Sequence, residues 1–285
     1  MTHFEKDQII DYYDTCEINY RRWWDLDKSL AMHAGYWDHT THSLREALMR
    51  ENEILATMAQ VKSSDFVLDA GCGVGGSSIY LSQNIGCTVT GITLSEKQVE
   101  TATKKVAELR LANPPKFLQM DYTKTTFPDK SFDIVWAIES VCHASDKRDF
   151  IKEAWRLLKP GGKLIVADGF HVKNEYNDAE KKILEKVVHG WAVDKMESIP
   201  NFEKFLVEQG FQIAEKKDAT KNVLPSSKRL FLYSFPAIAF SKIGEYCRWS
   251  TAAQTRDFVS YHYQFWAIKK ELCRYMIYLS KKVIP

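Results

Sequence analysis

The chain has 285 residues, of which 45% are hydrophobic and 27% are charged, and this balance excludes a disordered or collagen-like protein. Its 39 lysines and arginines against 37 aspartates and glutamates leave a formal net charge of +2, which provides no field to hold a nucleic acid. The six cysteines form no CxxC pair, so we expect reduced thiols and no metal site.

Neither a targeting segment nor a membrane span is expected. Residues 1–10 carry two acids and lack a basic stretch followed by an apolar core, so no secretory signal is predicted. The most apolar run, residues 230–240, contains Pro236 and is far shorter than the roughly 20 residues of a membrane-spanning helix. These features predict a cytoplasmic protein.

Helical apolar spacing dominates residues 4–60, with a break near Gly35 and a second start at Ser43. From Asp65 onwards, short β-rich runs are separated by helical stretches. Such alternation is typical of a parallel sheet with helices on both faces. The predicted strands are 66–69, 88–92, 117–120, 132–137 and 163–167, and the predicted helices between them are 78–84, 96–110 and 150–158.

After the fifth strand the regular alternation stops. A helix at 179–191 is predicted to form a lid, and a helix at 202–209 leads into a sixth strand at 211–216. Residues 218–270 are aromatic and irregular and are interpreted as an insertion. Residues 275–281 return to strand-like alternation and predict a closing strand.

These elements predict an α/β protein with a Rossmann-like, doubly wound sheet of seven strands, the last of them antiparallel. An N-terminal helical layer and helical cap insertions are expected around the sheet. We divide the chain into a helical cap at 1–60, an α/β core that binds a cofactor at 61–175, and a third part at 176–285 that contains lid helices, the insertion and the final strands.

A glycine-rich turn, DAGCGVGG at residues 69–76, joins the first strand to the following helix. Glycine allows the backbone to turn sharply there and to approach a ligand. The GxGxxG spacing alone also fits dinucleotide enzymes and chance turns. However, Asp69 would repel a pyrophosphate and attract an ammonium group, and Thr93 stands where a dinucleotide enzyme usually has an acid for the ribose. The turn therefore favours a cofactor that carries an amino-acid group.

Four motifs, DAGCGVGGSS, GITLSEKQ, AIESVCHASDK and LLKPGGKLIVAD, resemble those of the class I S-adenosylmethionine-dependent methyltransferases. Within that family they are most similar to enzymes that act on sterols, tocopherols and other prenyl or terpenoid lipids. The resemblance covers about residues 60–170 and implies S-adenosylmethionine as cofactor, with S-adenosylhomocysteine as product. It implies that Asp69, Gly71 and Gly73 hold the methionine part, Thr93 and Gln98 the ribose, and Asp121 and Tyr122 the adenine.

Glu139 and His143 follow the predicted fourth strand, at the sheet edge where ligands bind. Methylation of an alkene leaves a cation that must lose a proton, and either side chain can accept it. If the segment is helical, the four-residue spacing places the carboxylate beside the imidazole and raises its basicity. The alternative is structural, with Glu139 bonded to the loop and His143 capping the next helix.

Aromatic residues cluster in the segments that flank the core. Their π faces can enclose an apolar acceptor and stabilise a positive charge, although any single one also fits ordinary core packing. The candidates for acceptor binding are Tyr20, Trp23, Trp24, Trp191 and Phe235.

The sequence therefore predicts an S-adenosylmethionine-dependent methyltransferase for a small, largely apolar acceptor. C-methylation of a prenyl, terpenoid, sterol or quinone-type compound is favoured, and N-methylation of an amine or O-methylation is the alternative. A regulatory subunit that only binds the cofactor is the alternative outside enzymes, and a nicotinamide-dependent dehydrogenase is more distant. No nucleic-acid partner is expected, and a homo-oligomer is left open.

Overall fold

The computed structural model describes residues 4–283 of the chain. Within them, seven strands form one sheet in the order β3-β2-β1-β4-β5-β7-β6. Strands β1 to β5 are parallel, and β7 runs antiparallel to both of its neighbours. The predicted seven-stranded sheet with an antiparallel last strand is confirmed. The strands are β1 (Phe66–Ala70), β2 (Thr88–Thr93), β3 (Lys116–Gln119), β4 (Phe132–Ile138), β5 (Leu158–His171), β6 (Phe211–Asp218) and β7 (Cys273–Lys282).

Helices cover both faces of this sheet. Successive residues of β4 point to opposite faces, so that Trp136 packs with the helices at residues 44–59 and 76–85 while Val135 packs with those at 147–157 and 199–208. Polar side chains such as Ser43 and Ser95 begin helices by accepting a backbone N–H of the first turn. The helices are α1 (Lys6–Trp23), α2 (Leu26–Ser29), α3 (Leu44–Ala59), α4 (Gly76–Ile85), α5 (Glu96–Leu109), α6 (Lys147–Leu157), α7 (Asp178–Gly190), α8 (Ile199–Glu208), α9 (Thr220–Tyr246) and α10 (Ala252–Lys269).

The prediction that residues 218–270 are irregular is wrong. This segment forms two long helices, α9 and α10, which pack side by side through contacts such as the stacked rings of Phe231 and Phe265. Two features hide the helices in the sequence. Pro225 and Pro236 lie inside α9, and its apolar residues cover both the buried and the exposed face, so the helical period is lost.

The N-terminal helix is attached to α10 through a buried carboxylate. Asp257 accepts hydrogen bonds from the hydroxyl groups of Tyr12 (2.9 Å) and Tyr261 (2.7 Å) and from the amide of Asn19 (2.9 Å). Burial raises the pKa of Asp257 to about 6. The network places α1 beside α10, above the carboxyl edge of the sheet.

None of the helices within residues 4–283 combines the length and the apolar composition that crossing a bilayer requires.

The turn after β1 depends on Gly71. Its φ of +86° lies in the left-handed region, and a Cβ atom at this position would overlap the Cβ atom of Ser140. Ser140, just after β4, donates a hydrogen bond from its hydroxyl to the carbonyl of Ala70 at 2.6 Å. The ends of β1 and β4 are therefore in direct contact.

We expect Gly71→Ala to lower the free energy of unfolding by about 3 kcal/mol or more, because left-handed strain and steric overlap add. Gly161 is a matched control, since its φ is +76° but a Cβ atom there meets nothing within 4 Å. Gly161→Ala should cost only about 1 kcal/mol. Urea unfolding of both variants measures the difference, and equal losses would contradict the contact with Ser140.

Candidate active site

A deep cavity opens at the carboxyl ends of β1, β2, β4 and β5. Ligands bind at this edge in open α/β sheets. Side chains from α1, α7 and α10 form the opposite wall. The structure thus brings together most of the residues that the sequence singles out, and those that line the cavity are Tyr20, Trp23, Trp24, Asp69, Gly71, Gly73, Thr93, Gln98, Tyr122, Glu139, His143 and Trp191.

The other two predicted residues, Asp121 and Phe235, lie outside this lining. Asp121 forms an ion pair with Lys6 at 2.5 Å and accepts a hydrogen bond from the backbone of Thr123. Burial acts to raise the pKa of Asp121, but these partners lower it below its usual value. Phe235 lies on α9 with 55% of its surface exposed, and its ring contacts His262.

Asp69 is the second-to-last residue of β1, next to the glycine turn, and it is almost completely buried. Its carboxylate accepts a hydrogen bond from the Ser78 hydroxyl at 2.6 Å. Burial raises the pKa of Asp69 to about 6, because an ionised carboxylate loses its hydration there. An ammonium group beside it would restore the lost stabilisation.

The chemistry of this corner fits the amino-acid part of S-adenosylmethionine. A Cβ atom at Gly73 would meet nothing within 4 Å, so a ligand can approach the backbone of the turn. The buried carboxylate of Asp69 lines the same cavity. A cationic amine is the partner that such a carboxylate requires.

Thr93 and Gln98 lie together at the end of β2. The Thr93 hydroxyl donates to the side-chain oxygen of Gln98 at 2.6 Å. Ser95 lies between them in the sequence, and its hydroxyl donates to the carboxylate of Asp14 in α1 at 2.8 Å. This hydrogen bond joins the N-terminal helix to the end of β2. On the other side of the glycine turn, the Tyr122 hydroxyl donates to the Ser140 carbonyl at 2.6 Å.

Glu139 follows the last residue of β4 with a φ of +46°, a conformation that is uncommon outside glycine. Its backbone N–H donates to the carbonyl of Ala167 at 2.8 Å, and its carboxylate accepts the N–H of Ala34 at 2.6 Å. Burial, reinforced by the nearby carboxylate of Glu51, raises the pKa of Glu139 to about 8. The side chain lines the cavity.

His143 ends a short 3-10 turn, and its Nε2 atom lies 2.7 Å from the Tyr13 hydroxyl. Burial, with the Lys147 ammonium nearby, lowers the pKa of His143 to about 4. The expected pairing of Glu139 with His143 does not form, since each bonds a different partner. The left-handed residue and the 3-10 turn break the helical spacing on which that expectation depends.

Sequence reasoning missed a second group of polar residues below the cavity. Glu51, buried in α3, accepts hydrogen bonds from the Nδ1 atom of His33 at 2.7 Å, the N–H of Gly35 at 2.8 Å and the hydroxyl of Tyr275 at 2.6 Å. Burial acts to lower the pKa of His33, but the negative charge of Glu51 outweighs it and the pKa is raised. One signal was present: Glu51 occupies the apolar stripe of α3, where a charge has to be paired.

Comparisons with known proteins find methyltransferases. A family model described as a methyltransferase domain matches residues 68–166. The 27-O-demethylrifamycin SV methyltransferase of Amycolatopsis mediterranei is 34% identical over 196 residues, which are 68% of this chain and 71% of the relative.

Two further relatives match over shorter parts of their lengths. A sterol 24-C-methyltransferase of Eremothecium gossypii is 32% identical over 65% of this chain and 50% of its own. A 2-methyl-6-phytyl-1,4-hydroquinone methyltransferase of Synechocystis is 39% identical over 50% of this chain and 45% of its own. Among solved structures, mycolic acid cyclopropane synthase CmaA1, complexed with SAH and CTAB, has the same fold, with a TM-score of 0.83 over 99% of both chains at 17% identity.

The chain therefore belongs to the S-adenosylmethionine-dependent methyltransferases. The predicted family and enzyme class are confirmed, as is the likeness to the sterol and tocopherol-type enzymes within that family.

If Asp69 binds the cofactor's amine, affinity should depend on pH in a defined direction. Above its pKa of about 6 the carboxylate is ionised and pairs with the ammonium, and below it the pairing is lost. We expect affinity for S-adenosylhomocysteine, measured by calorimetry, to fall as the pH drops from about 8 to about 5. Asp69→Asn should bind at least about tenfold more weakly at pH 8 and show a flatter profile.

Asp257→Asn is the matched control, because that carboxyl also has a pKa of about 6 but lies between α1 and α10. In this variant the affinity for S-adenosylhomocysteine should fall with pH as steeply as in the wild-type protein. If Asp69→Asn also kept that pH dependence, the amine would bind elsewhere.

Proposed function

We propose that the protein transfers the methyl group of S-adenosylmethionine to a small, largely apolar acceptor, with carbon as the target atom. The observation that carries the proposal is the composition of the cavity wall opposite the glycine turn. This wall is aromatic and aliphatic, and apolar surface holds a ligand mainly through its removal from water. Its members include Ile9, Tyr20, Trp23, Trp24, Val187, Trp191, Val193, Leu230 and Ile268.

In this proposal residues 61–175 form the cofactor-binding core, and the cap at 1–60 and the lid at 176–285 supply the acceptor walls. Asp69 holds the amine, while Gly71 and Gly73 admit the methionine part. The Thr93–Gln98 pair and Tyr122 line the ribose and adenine ends. We leave Asp121 out of the site because Lys6 occupies its carboxylate, and Phe235 because it faces solvent.

When bound, S-adenosylmethionine supplies a methyl group that is already electrophilic, so the protein has to align the acceptor and exclude water. An alkene carbon attacking this methyl group would form the new C–CH3 bond as the S–CH3 bond breaks, leaving S-adenosylhomocysteine. The positive charge would pass to the acceptor, which would become neutral again by giving a proton to a base in the cavity wall. Faces of Tyr20, Trp24 and Trp191 stabilise the cation by about 1 kcal/mol or more each where water is excluded.

Glu139 is the better candidate for the base. Its carboxyl lines the cavity, and a positive charge on the cofactor or acceptor favours its ionised form. His143 is neutral at pH 7, but its Nε2 atom is already engaged with the Tyr13 hydroxyl. We assign His143 the role of positioning Tyr13 in the wall that holds the acceptor.

Glu139→Gln should lower kcat by roughly 100-fold or more while cofactor affinity stays within about threefold. The base works only when ionised, so kcat/KM for the cofactor should rise with pH through about 8 in the wild-type protein and lose this rise in the variant. Label transfer from radiolabelled S-adenosylmethionine measures both. His143→Ala should lower kcat far less, and the opposite ranking would make His143 the base.

O-methylation is the second candidate, favoured by the name of the Amycolatopsis relative. There the acceptor's hydroxyl proton would pass to Glu139 as the oxygen attacks. Incubation with S-adenosylmethionine carrying a carbon-13 methyl group, together with pooled lipid and polar extracts of the source cells, separates the candidates. The chemical shift of the transferred methyl group distinguishes carbon, oxygen and nitrogen attachment, and label confined to the aqueous phase would contradict an apolar acceptor.

A further inference from the structure

One side of α9 exposes a continuous apolar stripe. Its members are spaced three or five residues apart, and this spacing keeps them on one side of the helix. The exposed fractions are 56% for Leu232, 55% for Phe235, 61% for Phe240, 59% for Ile243 and 91% for Tyr246. Scattered exposed apolar residues are normal on a protein surface, but a contiguous row of this length marks an interaction site.

The stripe lies on a strongly basic part of the chain. The α9–α10 hairpin, residues 220–270, holds eight lysines and arginines against two acids, in a chain whose total charge is only +2. All eight cations are exposed, whereas Asp257, one of the two acids, is buried. The exposed surface of the hairpin is therefore net positive, and the other residues of the chain are net negative.

The opposite side of the same hairpin faces the cavity. Val223 and Leu230 of α9 line it, as do Tyr261, Gln264 and Ile268 of α10. The buried side of α9 also carries small polar residues that bond within the protein, such as Ser226 and Ser241. One side of α9 therefore packs against the rest of the protein, and the other side exposes apolar side chains.

We propose that the α9–α10 hairpin docks the protein on the surface of an anionic lipid bilayer. The apolar stripe would enter the boundary between headgroups and acyl chains, and the flanking lysines and arginines would pair with lipid phosphates. Trp249, at the end of the hairpin, packs against Phe240 and suits the same boundary. This inference goes beyond the methyl transfer and does not depend on which atom is methylated.

Charge favours a bilayer over a second copy of the chain as the occupant. Two hairpins that met through their stripes would bring two net positive surfaces together. An anionic bilayer instead offers phosphates to the lysines and arginines and acyl chains to the apolar side chains. The docked hairpin would also hold the cavity close to the bilayer, in which apolar molecules dissolve.

The test measures co-sedimentation of the whole protein with vesicles of phosphatidylcholine, alone or with about one third phosphatidylglycerol. We expect binding to the anionic vesicles, weakened when salt is raised from about 0.1 M to about 0.5 M. The double variant Leu232→Asp/Ile243→Asp should lose at least about tenfold in partition coefficient, since two apolar side chains that enter the bilayer on docking are replaced by two charges that the anionic lipid repels.

The double variant Met49→Asp/Val207→Asp is the matched control. It introduces the same charge at residues that are 53% and 61% exposed but lie on α3 and α8. It should bind vesicles as the wild-type protein does. Calorimetry with S-adenosylhomocysteine checks that both variants remain folded, and it keeps a failure of docking separate from a failure of the proposed methyl transfer.

The proposal is overturned if the wild-type protein does not bind anionic vesicles, or if both double variants lose binding equally. Sedimentation velocity without lipid tests the other occupant. A wild-type dimer that Leu232→Asp/Ile243→Asp converts to a monomer, with no vesicle binding, would make the stripe an interface between copies and contradict lipid docking.

Discussion

The contact between the turn after β1 and the end of β4 is the constraint on which the site depends. Gly71 has no side chain, so Ser140 can pack against it and bond the carbonyl of Ala70. This contact holds Asp69 and Glu139, which come from two neighbouring strands, around one cavity. A larger residue at Gly71 would separate the two strand ends and with them Asp69 and Glu139.

Several buried carboxyl groups surround the cavity, so the cavity favours a positively charged ligand. Burial raises the pKa of both Asp69 and Asp168 to about 6 and that of Glu139 to about 8. The charged forms of these groups are costly in a buried cavity, and the nearby cations, His33 and Lys147, offset only part of that cost. A ligand with an ammonium and a sulfonium group supplies the missing positive charge, which is a physical reason for this cavity to select such a cofactor.

Local patterns in the sequence were sufficient for the sheet and for most of the helices around it. Strand alternation and the glycine turn depend on neighbouring residues, so they could be read directly. The helix α9 could not be predicted, because large apolar side chains lie on its exposed side, serines lie on its buried side, and two prolines fall within it. The bonds of Glu51 to His33 and Tyr275 join distant segments, and the left-handed backbone of Glu139 depends on packing, so neither follows from spacing.

A structure of the protein with S-adenosylhomocysteine is the most direct measurement of how the cofactor is held. We predict the amino nitrogen of the nucleoside about 3 Å from the Asp69 carboxylate, with the methionine part against Gly71 and Gly73. An amino nitrogen bonded elsewhere, with Asp69 still paired only to Ser78, would contradict the assignment of this corner of the cavity.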